Sequence, residues 1–503
     1  MISAPQSPAV DIKSLLALLG HLVATAGFVL YAAFAPHSIA GAEIALAVVG
    51  CGWLVRTVAT GKAGFRHTKL DLPIWLFFAW TIASSCLSEE PQISLAKLQS
   101  VCVLFLFYLT QATVTRGSTM FLVCLMVLSG VVGSIYSIYD LARGRGIVVE
   151  AISSDSPLRM SVVPEDAVWR VGGRRIYSIG EIEEAIKTAP SGTALRVSVI
   201  TRGEHVERTS LVVTDQLKQL DAPSGILGRN PTHRFRASGW TRHYETFSEI
   251  LQILAQLALG LGLASLKNHG PNLRFKLAAA ASALLALGIA LTAMRTALVA
   301  FALGACVLTI RIARGKARLL VPAALLLVLA LGAFIVWQTR AEQALWFQDD
   351  SAALRLTVAQ LGASRIALHP VFGHGMDAMH LHWNEWGFPG REMLSLHSTP
   401  LQLAFDRGIP ALALWLWIMA TFWLITTRSE RAFRDSPDVN RHGLLLGATG
   451  AIAGFFASSL VNYNFGDGEV ALVFWWLMGI VVVLARDTQI TSAKFFRERA
   501  NHQ

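Results

Sequence analysis

Runs of about twenty mainly apolar residues recur along this chain, and no other feature limits its fold as tightly. A helix needs about 20 such residues to cross the hydrocarbon core of a bilayer. Runs of that size begin near Ser14, Ile39, Asp71, Ser94, Thr119, Tyr244, Phe275, Thr296, Leu319, Pro410, Gly443 and Glu469. Composition points the same way: 53% of the residues are hydrophobic and 15% charged, against about 25% charged in soluble proteins. That is too little polar surface to cover a soluble body of 503 residues. The expected architecture is an all-α polytopic membrane protein with about twelve transmembrane helices. The first run, Ser14 to Phe34, is too long for the apolar stretch of a signal peptide and lacks a convincing cleavage site, so it reads as a span.

Orientation follows from the short loops. One set carries Arg56, Lys62, Arg66 and Lys69, then Arg116, then Lys267, Arg274 and Lys276, then Arg311 to Arg318, then Arg428, Arg431 and Arg434. The opposite set, at residues 35–38, 88–91 and 462–469, has neither Lys nor Arg. Both termini are therefore expected in the cytoplasm, with long segments at about 140–243 and 338–409 outside. The net charge of +10 is accounted for by this bias, and no basic run is interleaved with aromatics, so no nucleic-acid partner is expected. The five cysteines lie in or beside apolar runs without metal-ligand spacing, which predicts neither a structural disulfide nor a metal site. The histidines His374, His380 and His382 lack helix-face i, i+4 pairing and any obvious acidic helper, so they too read as non-metal residues.

The first outer segment contains a small α+β insert. Strands are expected at Gly146–Ile152, Ala167–Val171, Ala194–Ile200 and from Arg208, with Gly172-Gly173 as a turn. Ser178, with Glu181 three residues on, predicts a capped short helix. This succession resembles a PDZ domain of the bacterial type over about 143–214. The resemblance implies an edge that can take up a peptide strand, with Arg143-Gly-Arg-Gly146 as a loose match to the carboxylate loop. A folded spacer is the alternative. The domain plan is then a membrane part at 1–142, the periplasmic insert at 143–214, and a membrane part at 215–503 that includes the periplasmic loop 338–409.

Arginine at an outer interface runs against the positive-inside trend, which singles out Arg295 between two apolar runs. Arg234, Arg236 and Arg242 cluster before the sixth run, where guanidinium forks suit phosphate oxygens. The outer loop adds Arg355, His369-Pro-Val-Phe-Gly373-His374-Gly375, and His397-Ser-Thr-Pro-Leu401 leading to Asp406 and Gly408.

Taken in order, Cys86-Leu-Ser-Glu-Glu-Pro, Arg236-Ala-Ser-Gly239, Thr292-Ala-Met-Arg295-Thr-Ala, His369-Pro-Val-Phe-Gly-His-Gly and His397 with Asp406 and Gly408 resemble the O-antigen ligase and polymerase superfamily of bacterial membrane glycosyltransferases. Ser398 and Asp406 stand where that family often has Asn and Glu, and the insert is not part of its common pattern. The resemblance implies transfer of a glycan from a polyprenyl-diphosphate carrier to an acceptor hydroxyl at the periplasmic face of the inner membrane, without a cofactor. Arg295, Arg236, Arg242 and Arg355 would hold the diphosphate. His397 would be the base, with Ser398 or Asp406 orienting it, inversion at the anomeric carbon, and activity falling below about pH 6 as the ring protonates.

The acceptor is left open between lipid A core, a growing glycan and a protein hydroxyl, hence between ligase, polysaccharide polymerase and protein O-oligosaccharyltransferase. Two non-enzyme readings fit less. A transporter should show matching broken spans in two halves, and a peptide-sensing receptor leaves the outer arginines and His397 unexplained.

Overall fold

A computed structural model describes residues 12–201, 206–229, 236–241, 243–313, 315–316, 318–320, 323, 350–390 and 392–500. The protein is mostly helical and is a polytopic membrane protein. Among the described residues, nine helices are long and apolar enough to cross a membrane: Ile12–Phe34, Ile39–Thr60, Arg116–Arg143, Tyr244–His269, Leu273–Leu291, Arg295–Ile312, Thr399–Phe433, Val439–Ser459 and one from Gly468. Two apolar stretches, Asp71–Leu87 and Leu98–Thr113, are shorter. The run expected from Ser94 is interrupted, as a short helix at Pro91–Ala96 gives way to a 3-10 turn at Leu98–Leu104 and then to Phe105–Thr113. The run expected from Leu319 lies mostly outside the described residues.

The chain forms two compact units. The larger comprises residues 1–133, 240–290 and 294–503. Its helices meet through small residues, as expected where lipid offers apolar side chains no reason to hide from it. Leu15, Leu18, Leu19 and Leu22 face outward, while Gly20, Ala24 and Gly27 of the same helix are buried. A methyl group on Gly20 would stand 2.7 Å from the Gly52 carbonyl of the next helix. Val439–Ser459 repeats the device with Gly443, Gly447, Gly450 and Gly454, and a methyl on Gly260 would reach to 2.2 Å from the Gly447 nitrogen.

One kink positions the site. Thr399–Phe433 is two helices joined at Gly408, whose φ of 80° and ψ of 169° suit a residue without Cβ. Pro410 follows, and its missing N–H and ring keep the break open. The 369–375 segment docks onto the broken turn as if adding a backbone ladder. His374 N donates to Phe405 O (2.8 Å), Gly375 N to Asp406 O (3.0 Å), and Ile409 N to Pro370 O (2.8 Å). Gly373 and Gly408 are both required for this contact, since a Cβ on either would collide with the facing backbone.

The smaller unit comprises residues 134–239 and 291–293. Strands β1 (Ile147–Ile152), β2 (Ala167–Val171), β3 (Arg174–Arg175), β4 (Ala194–Ile200), β5 (Val206–Val212) and β6 (Ile226–Arg229) form one antiparallel sheet in the order β5-β4-β2-β1-β6, with β3 against β2. The helix expected at Ser178 runs Ile179–Thr188, with Ser178 Oγ accepting from Glu181 N and Glu181 accepting from Tyr177 N. Ile182 and Ile186 pack into a core with Val149, Val168, Val197 and Leu211. Strand β6 lies beyond residue 214, the end read from the sequence. Its alternation is too brief to signal a strand by itself, and it is fixed by pairing with β1.

Candidate functional site

Four helix starts in the larger unit are tied together by the 462–467 loop. Thr399 N and Thr399 Oγ1 both donate to Asn462 O at 3.0 Å. Asn462 Nδ2 donates to Thr296 Oγ1 (3.0 Å) and to Ser458 Oγ (3.1 Å). Thr246 Oγ1 donates to Asp467 Oδ2 at 2.5 Å. The beginnings of Tyr244–His269, Arg295–Ile312, Thr399–Phe433 and the helix from Gly468 therefore meet at one end of the bundle. Helix N-termini carry the positive end of the macrodipole and unsatisfied N–H groups, a setting that favours anions.

His397 stands two residues before the third of these helices. It is half-buried and adopts φ 51°, a conformation that costs a residue with a Cβ and clusters at functional sites. Burial pushes its imidazole down to about 4, the positive charge of Arg355 adds to this, and Glu245 opposes it. The ring is thus neutral at physiological pH. Arg355, on Asp350–Ile366, donates to Glu245 Oε1 at 3.0 Å, and His243 lies close enough to His397 to lower it further. Arg355 thereby joins the histidine.

Arg295 is the first residue of its helix and is exposed. Its neighbour Thr296 accepts from Asn462, whose carbonyl accepts from Thr399, so Arg295 and His397 belong to helix starts linked through one loop residue. Arg236 is half-buried in the smaller unit, where Ala237 N donates to Leu291 O at 3.0 Å. Arg242 lies outside the described residues.

The two orienting candidates act on the backbone. Ser398 is the N-cap of Thr399–Phe433, its oxygen accepting from Leu401 N. Asp406 accepts from Gln402 Nε2 (2.8 Å), and Gln402 Oε1 accepts from Leu396 N (2.7 Å). This chain holds the turn that presents His397. Among the described residues neither Ser398 nor Asp406 bonds to the ring.

The histidines said to lack acidic helpers each have one. His380 pairs with Glu392, and His382 with Glu385 (2.6 Å) and Glu90 (2.8 Å). His374 Nδ1 is 2.5 Å from Glu89, and His369 Nε2 is 3.7 Å from the same carboxylate. Glu89 and Glu90 are remote in sequence, so spacing could not reveal them. Glu89, His369 and His374 have ligand atoms within 4.8 Å of one another and can hold a metal ion. His374 Nε2 donates to the Arg365 carbonyl (3.0 Å), which turns Nδ1 toward Glu89. Burial raises Glu89, but the hydrogen bond from His374 and the neighbouring histidine charges outweigh it and hold the carboxyl below its usual range.

Glu245, His243 and Asn462 were not assigned from the sequence. Glu245 follows the arginine cluster directly, but a glutamate in the first turn of a helix reads equally well as a complement to the helix dipole.

A family model described as O-Antigen ligase matches residues 280–416. That range holds Arg295, Arg355, His397 and Asp406. It supports the O-antigen ligase superfamily and a membrane glycosyltransferase-type enzyme acting in O-antigen ligation or polymerisation. Such a family implies glycan and lipid-linked substrates in a membrane. No curated protein matches the chain.

Proposed function

We propose that this chain transfers a glycan from a polyprenyl-diphosphate carrier to an acceptor hydroxyl at the periplasmic face of the inner membrane. The single observation that carries the reading is the left-handed, neutral His397 held beside Arg355 and Glu245, at a helix start linked to that of Arg295. The acceptor oxygen attacks the anomeric carbon as its proton passes to His397. The bond from that carbon to the diphosphate breaks, and the polyprenyl diphosphate leaves with the bonding electrons. A single base and direct displacement invert the anomeric centre, with no metal required. Arg295 and Arg355, with Arg236 and Arg242 from the preceding loop, stabilise charge on the leaving diphosphate. The bound diphosphate also raises the histidine from its low resting value, since a nearby anion favours the imidazolium.

The Lys/Arg bias of the short loops supports cytoplasmic termini and an outward-facing site. Twelve spans remain the reading when the two short apolar stretches and the run from Leu319 are added to the nine. The smaller unit is read as PDZ-like, supported by its capped helix and antiparallel sheet, with a peptide or an acceptor protein as its candidate partner. Acceptor choice stays between lipid A core, a growing glycan and a protein hydroxyl.

The test is the His397→Ala variant in a reconstituted transfer assay. Turnover should drop by roughly 10²–10⁴-fold, with the lipid-linked donor still bound. Transfer at near wild-type rate would remove His397 from the mechanism.

A further inference from the structure

A cavity of about 550 Å³ opens between Phe77, the 99–104 turn and the start of the final helix. Its size falls within the usual range for small-molecule sites, about 300–1,000 Å³. The walls are largely apolar, with Phe77, Leu104, Leu472 and Trp475, and two charged residues line it, Glu43 and Arg407.

Arg407 is only 5% exposed, yet it forms no ion pair among the described residues. Its Nε has no hydrogen-bond partner there. One Nη reaches Met376 Sδ at 3.0 Å, a weak acceptor, and the guanidinium stands 5.6 Å from the Phe77 ring centroid. The adjoining carboxylate, Asp406, is taken up by Gln402. An arginine cannot shed its proton to escape burial, and buried charges are ordinarily paired. An anion entering through the cavity would give the guanidinium a direct partner.

We propose that this cavity binds an amphiphile bearing a phosphate, with the phosphate on Arg407 and the apolar chain along Phe77, Leu104, Leu472 and Trp475. Glu43 repels the headgroup from its own side and so sets the orientation. A bulk anionic phospholipid and a polyprenyl diphosphate share this chemistry. The proposal rests on Arg407 and the cavity and not on the role of His397.

The experiment uses delipidated full-length protein and native mass spectrometry. Phosphatidylglycerol, phosphatidylcholine of the same acyl chains, and undecaprenyl diphosphate are added separately. Each is measured in wild type and in Arg295→Ala, so that lipid held at the proposed transfer site is subtracted. Anionic lipid should be retained at least about tenfold over phosphatidylcholine, and Arg407→Gln should erase the preference. Preferential retention of phosphatidylglycerol would assign the site to bulk phospholipid, and preferential retention of undecaprenyl diphosphate would assign it to the carrier. Equal retention of the two would mean that the headgroup alone is read. Ser100→Trp at the exposed rim should block entry without disturbing the buried arginine, and it decides the matter if Arg407→Gln fails to fold. An unchanged anion preference in either folded variant, or no preference in wild type, would overturn the proposal.

Discussion

His397, the proposed base, sits at φ 51°, next to the turn held by the Asp406–Gln402–Leu396 relay. Its value of about 4 changes the pH dependence expected from the sequence. A histidine pulled below its ordinary range stays neutral as pH falls and accepts protons from water only on approach to the lower value. The acid limb of kcat/KM, which reports the free enzyme, should therefore lie near pH 4 rather than near 6. Glu245 works in the opposite sense by raising the ring, so Glu245→Gln should move the limb further down, and a pH profile of each variant checks the sign. An acid limb that stays near pH 6 in wild type would refute the buried, Arg355-flanked setting. Arg295→Ala should abolish transfer at unchanged abundance, and Arg295→Lys should be impaired because a point charge loses the bidentate fork. Full activity in the alanine variant would exclude the role. Arg295 stands out in the sequence because charge beside apolar runs at an outer interface is rare, and His397 stands out through the motif it shares with the resembling superfamily. Glu245 does not, because a charge in a first turn has a mundane use.

At the scale of elements, the junction between residues 369–375 and the kink at Gly408 explains why several glycines recur there. A Cβ on Gly408 would lie 1.8 Å from the Val371 carbonyl oxygen, and one on Gly373 would lie 2.5 Å from Arg407 N, both at positive φ. Gly408→Ala and Gly373→Ala should each destabilise the protein by more than the ~1–3 kcal/mol typical of backbone strain alone, as read by thermal unfolding in detergent. Gly50→Ala, with nothing within 4 Å, is the control and should be close to neutral. Equal melting temperatures for all three would show that the docked loop does not constrain the kink. The expected run from Pro410 missed the first turns of this helix for a physical reason. Gln402, Asp406 and Arg407 are buried polar residues that hydropathy scores as solvent, whereas here Gln402 and Asp406 brace the site. The interruption after Ser94 was hidden for the converse reason, since apolar side chains continue through a 3-10 turn as readily as through a helix.

On the scale of the whole molecule, the strands and the capped helix of the smaller unit were readable from alternation and from Ser178, but its extent was not, because β6 has no pattern of its own. It follows that an isolated fragment ending at residue 214 would leave β1 as an unpaired edge. A fragment covering 143–230 should melt cooperatively at a higher temperature than 143–214, a comparison that circular dichroism can make. If the shorter fragment is equally stable, β6 does not belong to the folding unit. The pairing has one more consequence. Val148, at the entry to the sheet, stands opposite Arg229, at its exit, so the chain leaves and returns at points one strand spacing apart, about 5 Å. A designer replacing the sheet with another of like-spaced ends must also replace Arg175, which ties it to Asp140 and Tyr136 of the preceding helix.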